Sequence, residues 1–286
     1  MPASPAHGET ALIAALRDVA SLPSLPAVVG ELGRRLAVRD PIPAEIARLL
    51  THDQALTSRV LKLANSAFYS PREPVRTVQQ GVIMLGLSTI RAITLKASVL
   101  HAFPMAQAKP FWRHSIGVAC AARAVAQLAG LSPADDAFVM GLLHDLGKLA
   151  LAEHLPEAYA EVRAHVDAHG GLLRDAELHV LGCDHAVVGR YLCEHWSLPC
   201  EIREAVGGHH DLDRCGPAHR PWAACVQLAD HLARDLGIGN GGDASQTVLD
   251  ARTLGLLALG PDDLAPCRAA TQREVDRAQA FFTLVG

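Results

Sequence analysis

An imidazole and a carboxylate stand side by side at His144-Asp145, inside the run Gly141-Leu142-Leu143-His144-Asp145-Leu146-Gly147-Lys148. Such a pair can bring one nitrogen and one oxygen donor to a single metal ion. Its company is what constrains the fold. His114 precedes it by thirty residues, His185 follows His144 by forty-one, and His209-His210 and Asp230 lie further on. For these groups to serve one centre, five separated segments must converge.

The chain between them reads as helix. Half of the 286 residues are hydrophobic but only 4% are aromatic, and Ala and Leu dominate, a balance that favours packed helices over strands. Thr10 to Ala20 reads as a first helix, and Leu22-Pro23-Ser24-Leu25-Pro26 as a rigid entry into a second that ends near Val38. Pro43 suits the first turn of a helix over Ala44–Leu50, and Asp53 caps one that runs through Ala64. Asn65 to Pro74 is a turn. Two helices follow from Val75, separated at Leu85-Gly86-Leu87-Ser88, and Phe103 through Pro110 reads as a linker. Helical spacing resumes over Phe111–Gly130, Pro133–His144, Asp184–Trp196, Pro199–Gly208 and Pro221–Leu236. Gly237 to Gly242 is a flexible break before two terminal helices. The expected architecture is all-α, with subdomains over 10–105 and 110–286.

Other features narrow the setting. The longest uncharged run, Thr77 to Ile90, has fourteen residues, against the about 20 that a membrane span requires. No basic-then-apolar signal pattern opens the chain. The seven cysteines (120, 183, 193, 200, 215, 225, 267) include no Cys-x-x-Cys spacing. That is the usage of reduced, mostly buried thiols in a cytoplasmic protein. Charge is uneven: residues 1–110 carry 12 Lys/Arg against 7 Asp/Glu, and residues 111–286 carry 14 against 23. Arg34, Arg35, Arg39, Arg48, Arg59, Lys62, Arg72, Arg76 and Arg91 would contact nucleic acid only if several share a face. Composition drift between two subdomains explains the imbalance equally well.

Fifteen histidines make any single one a poor witness. His7, His52, His101, His154, His165, His169, His179, His195, His219 and His231 are read as solvated or hydrogen-bonded imidazoles. The remaining five fall early in a helix (His114), near a helix end (His144), at a helix start (His185) or just past an end (His209, His210). Helix ends allow side chains from separate helices to meet. Imidazoles and carboxylates without thiolate suit Fe, Mn, Zn, Ni or Mg, one or two ions. Such ions lower the pKa of a bound water enough for attack on phosphorus. Lys148 is placed to meet an anionic group, with an ordinary solvated lysine as the alternative. Gly147 is read as a backbone bend.

The order His114, His144-Asp145, Asp230 resembles the HD superfamily of metal-dependent phosphohydrolases. That resemblance implies a first metal held by His114, His144, Asp145 and Asp230, with Asp145 bridging. It implies a second completed by His185, His209 and His210. The chain is more closely similar to the HDOD (HD-related output domain) branch. Leu22–Pro26, Leu61-Lys62-Leu63-Ala64-Asn65-Ser66-Ala67-Phe68-Tyr69 and Val82-Ile83-Met84-Leu85-Gly86-Leu87 carry that pattern in the first half. Phe111–Ser115, Gly141–Asp145, Asp184–Gly189 and Trp196–Pro199 carry it in the second. The match covers about residues 20 to 235.

After His209-His210 the sequence runs Asp211-Leu212-Asp213-Arg214-Cys215-Gly216-Pro217. It lacks the Gly-Tyr-Pro of cyclic-di-GMP phosphodiesterases of the HD-GYP type. No receiver or GGDEF segment is recognised, so an output module alone is expected. The resemblance implies a bacterial signalling or regulatory module with a retained metal site and a protein partner. The alternative is a phosphohydrolase or phosphodiesterase acting on a nucleotide, cyclic dinucleotide or other phosphate ester, with Asp145 and Lys148 as catalytic groups.

Overall fold

The computed structural model describes residues 42–102 and 109–278, apart from 67, 68, 70, 244 and 246–248. Every regular element among them is helical, and none is a strand. The helices expected before residue 42, and Phe103 to Ala108 of the expected linker, lie outside the described residues.

Helix α1 (Pro43–Thr51) starts on Pro43, and α2 (Gln54–Ala64) is capped by Asp53, whose carboxylate accepts the Leu56 N–H at 2.9 Å. The turn after α2 is clamped by Asn65, which donates to Val75 O at 2.8 Å and accepts from Val75 N at 2.7 Å. Helix α3 (Val78–Ala102) is two helices joined at Gly86, where φ 77° and ψ 159° break the regular path. Only glycine adopts this conformation without strain, so the separation expected at Leu85–Ser88 occurs there.

Lys109-Pro110 opens α4 (Lys109–Leu128) instead of belonging to a linker. Proline in a helix's first turn forfeits no internal hydrogen bond. Val118, Ala119, Cys120, Ala121 and Ala122 of α4 are fully buried. Their small side chains let α5 (Ala134–Leu143) approach so closely that a Cβ on Gly141 would lie 2.7 Å from Val118 O.

Between His144 and Asp184, where the sequence reading marked no element, three helices follow. They are α6 (Leu146–His154), α7 (Pro156–His169) and α8 (Leu173–Leu181). Next come α9 (His185–His195), capped by Asp184, and α10 (Cys200–Gly208), entered through Pro199. Helices α11 (Arg220–Asp235), α12 (Thr253–Leu256) and α13 (Leu264–Arg277) complete the described chain.

Helix α4 is the spine, packed against α5, α11 and α13, while α6 packs on α9 and α3 rests on α5. One apolar cluster runs from Ile46 on α1 to Val275 on α13. Six of the seven cysteines are buried, as their apolar reading requires; Cys200 is exposed. Among the described residues no helix is long and apolar enough to cross a membrane.

Candidate metal centre

The five separated segments converge. His114 comes from the second turn of α4, and Asp230 from the interior of α11. His144 and Asp145 occupy the two-residue corner between α5 and α6. His185 begins α9, and His209-His210 follow α10. His114, His144, Asp145, His185, His209 and Asp230 are each 2% exposed or less, and His210 is half-buried.

The donor atoms are tightly spaced. His114 Nε2 lies 3.0 Å from Asp230 Oδ1, and His144 Nε2 lies 3.3 Å from Asp145 Oδ2. On the other side of the same carboxylate, His185 Nε2 is 3.1 Å from Asp145 Oδ1 and 3.0 Å from His210 Nε2. Asp145 therefore stands between two imidazole groups.

The far nitrogen of each ring fixes its orientation. His144 Nδ1 is 2.8 Å from Gly141 O, and His209 Nδ1 is 2.7 Å from Val206 O. A carbonyl only accepts, so Nδ1 carries the proton and Nε2 presents a lone pair inward. His185 Nδ1 meets Glu177 Oε2 at 2.6 Å, and the same oxygen accepts the His185 backbone N–H at 2.8 Å. Tyr159 donates to the other oxygen, Oε1, at 3.3 Å. Glu177 is fully buried.

His114 Nε2, His144 Nε2, His209 Nε2 and Asp145 Oδ1 are buried without an aligned hydrogen-bond partner, despite their close neighbours. Buried polar atoms are almost always satisfied. Several orphaned lone pairs facing one another make a donor set that a cation would complete. Three overlapping groups have all their donor atoms within 4.8 Å: His114/His144/Asp230, His144/Asp145/His209 and His185/His209/His210. The residues present fit one or two divalent ions bound through nitrogen and oxygen.

Charge is balanced around them. Burial works against ionisation of Asp145, but His144 and Lys148 outweigh it and hold the carboxyl well below its usual range. Asp230 is likewise held down against burial, chiefly by Arg234, which donates to it at 2.9 and 3.0 Å. His209 is pushed down to about 3 by burial and by His144 and His185, so it is neutral and able to ligate. Burial opposes protonation of His185, yet the Glu177 carboxylate lifts it to about 9.

Lys148 is 4% exposed and not a solvated lysine. Its ammonium donates to Asp145 Oδ2 at 2.9 Å and Gly241 O at 2.8 Å, and lies 3.6 Å from Asp243. Gly147 does not bend the chain; it lies within α6, and a Cβ there would sit 2.0 Å from His185 O. Its bare backbone lets α6 and α9 cross in contact. The Gly237–Gly242 break is also a close approach. A Cβ on Gly239, at φ 72°, would lie 2.2 Å from His114 N, and one on Gly241 would lie 3.0 Å from His114 Nε2.

Glu177, Tyr159, Arg234 and Asp243 were not read from the sequence. Arg234, four residues after Asp230 on one helix, was legible as an i,i+4 pair. Asp243 joins Arg234 at 2.6 Å and accepts the Leu173 N–H at 2.6 Å, contacts that no local pattern announces. Of the basic first-half residues, Arg48, Arg59, Lys62, Arg72 and Arg76 are exposed. Arg34, Arg35 and Arg39 lie outside the described residues.

The family model for the HDOD domain matches residues 22–212. The chain belongs to the HDOD family. It is similar to the crystal structure of an HDOD domain protein of unknown function from Geobacter sulfurreducens. The identity is 27% and the TM-score 0.74, over 94% of this chain and 97% of that one. A candidate signal transduction protein from Marinobacter aquaeolei VT8 shares the fold at 20% identity and TM-score 0.84, over 98% of this HDOD chain and 66% of that one. A candidate phosphohydrolase from Shewanella amazonensis SB2B does so at 24% identity and TM-score 0.75, over 96% and 98%. An uncharacterised protein of Treponema pallidum (strain Nichols) is 25% identical over 236 residues, 79% of this chain; the match spans 45% of that longer protein.

Proposed function

We propose that this HDOD protein is a regulatory module of a signalling pathway whose helical body is organised around a bound divalent metal. His114, His144, Asp145, His185, His209, His210 and Asp230 would hold it, with Asp145 lying between the two imidazole groups. The observation that carries the reading is the set of buried, unpaired imidazole nitrogens around Asp145. Likeness to a candidate signal transduction protein supports the regulatory half. Burial favours it as well, because His210 is the only member of the set with a partly exposed side chain. In this reading 110–286 is the metal-bearing subdomain, and 10–105, with its basic residues, is the part offered to a protein partner.

A second reading is hydrolysis of a phosphate ester, favoured by the position of Asp145 between two imidazole groups. Bound metal would supply an activated water. Asp145 would hold the ions together, and Lys148 would meet a phosphate oxygen by exchanging one of its present partners. Likeness to a candidate phosphohydrolase is consistent with it.

Metal content after anaerobic purification tests the site, compared with a His144→Ala/Asp145→Ala double variant. The expected result is bound metal in the wild type that the double variant lacks. A folded wild type without metal overturns the ligand assignment. A screen of phosphomonoesters and cyclic dinucleotides with Mn or Fe separates the two readings. Turnover abolished in the double variant selects hydrolysis over regulation, and turnover unchanged in it is a contaminant's and rejects hydrolysis.

A further inference from the structure

Three histidines set aside as ordinary surface groups lie together away from the buried cluster. Helix α7 ends at Gly170-Gly171, both at positive φ (71° and 93°), and the chain folds back into α8. His165 and His169 are four residues apart on α7, hence on one face, and His179 lies on α8. The His165 ring centroid is 4.4 Å from that of His169 and 4.8 Å from that of His179, with planes inclined by 30° and 33°. His169 and His179 are exposed and His165 is half-buried.

Stacking three imidazoles at a surface is unfavourable once they are protonated, because like charges repel. Partial burial, then His169 and His179, hold the His165 pKa below its ordinary value, which keeps its lone pair available. His169 Nδ1 lies 3.0 Å from His165 O and donates to it, so its Nε2 is the free nitrogen. Two imidazoles in i,i+4 relation and a third from a neighbouring helix form a neutral donor set without carboxylate or thiolate. Borderline divalent transition ions prefer such a set over Mg or Ca.

We propose that His165, His169 and His179 form a second, surface metal site for Zn2+ or Ni2+, which pins α7 to α8. The donor nitrogens of the trio are not gathered within 4.8 Å of one another as those of the buried groups are, so metal–nitrogen bonds of about 2.0–2.1 Å require the rings, two of them exposed, to swing inward about their side-chain torsions. Water completes the coordination. The same two helices carry Tyr159 and Glu177, the groups that hold His185 from behind. An ion at the surface therefore stiffens the pair of helices that supports the buried cluster.

The test is calorimetric titration of the chelator-treated full chain with Zn2+, comparing wild type with His169→Gln/His179→Gln. Neither residue belongs to the buried cluster, so metal retained on purification serves as the internal control. The wild type is expected to bind one more Zn2+ per chain than the variant, and to be retained on immobilised Ni2+ where the variant elutes. Equal Zn2+ uptake by a folded variant, as judged by circular dichroism, overturns the proposal. A His165→Ala variant provides a second check: unchanged Zn2+ uptake there overturns the three-residue site.

Discussion

Glu177 Oε2 accepts both the backbone N–H and the Nδ1–H of His185, at 2.8 and 2.6 Å. One carboxylate oxygen thus fixes both the start of α9 and the orientation of its first side chain. Carboxylates behind a ligating histidine typically contribute 10- to 100-fold in metal affinity. Glu177→Gln is expected to weaken metal binding by about that factor while the helices remain formed. Competition with a chelator of known affinity, alongside circular dichroism, measures it. Unchanged affinity would remove Glu177 from the centre.

The metal-free protein should be most stable near pH 6.5. His209, held at about 3, stays neutral in the fold while the unfolded chain takes up a proton below about 6.5. Its contribution is therefore lost as pH falls from 6.5 towards 3. His210 shifts in the same direction. His185, raised to about 9, contributes stability that is complete below 6.5 and lost as pH rises through 9. Urea midpoints of chelator-treated protein between pH 5 and 9 should form a dome, and a flat profile would contradict both assignments.

Gly147→Ala is expected to destabilise the fold by about 1–3 kcal/mol, the usual cost of overpacking. The added methyl meets His185 O and Gly189 N, which are backbone atoms unable to rotate away. Because the clash displaces His185 itself, metal affinity should fall together with the melting temperature. Chemical denaturation and metal titration of the same sample check the coupling. A stability loss with affinity intact would separate the helix crossing from the site.

Removing the metal should lower thermal stability. A ligand that binds only the folded state at a hundredfold excess over its Kd stabilises it by about 2.7 kcal/mol. Scanning calorimetry before and after chelation reads the shift. The His144→Ala/Asp145→Ala variant should show a smaller shift than the wild type.

Much of the fold was legible because its signals are local. Pro43, Asp53, Asp184 and Pro199 mark helix starts through their own backbone and side-chain chemistry, and Gly86 marks the break in α3. The ligand candidates were legible as residue types in a characteristic order. Helices α6, α7 and α8 were not, since α6 and α8 have nine residues each and all three are bounded by a Leu-Pro or Gly-Gly corner, with no long amphipathic stripe. Their loss hid Glu177, whose buried carboxylate is held by hydrogen bonds from Tyr159 and His185. Gly147 was misread for a related reason: a glycine required by a neighbouring helix looks, in sequence, like one required by a turn.

The half-burial of His210, beside ligand candidates that are almost wholly inaccessible, has a kinetic consequence. An ion held among the inaccessible donors would exchange with solvent more slowly than one held at His210. The metal found in the protein would then be a record of what was available when the chain folded.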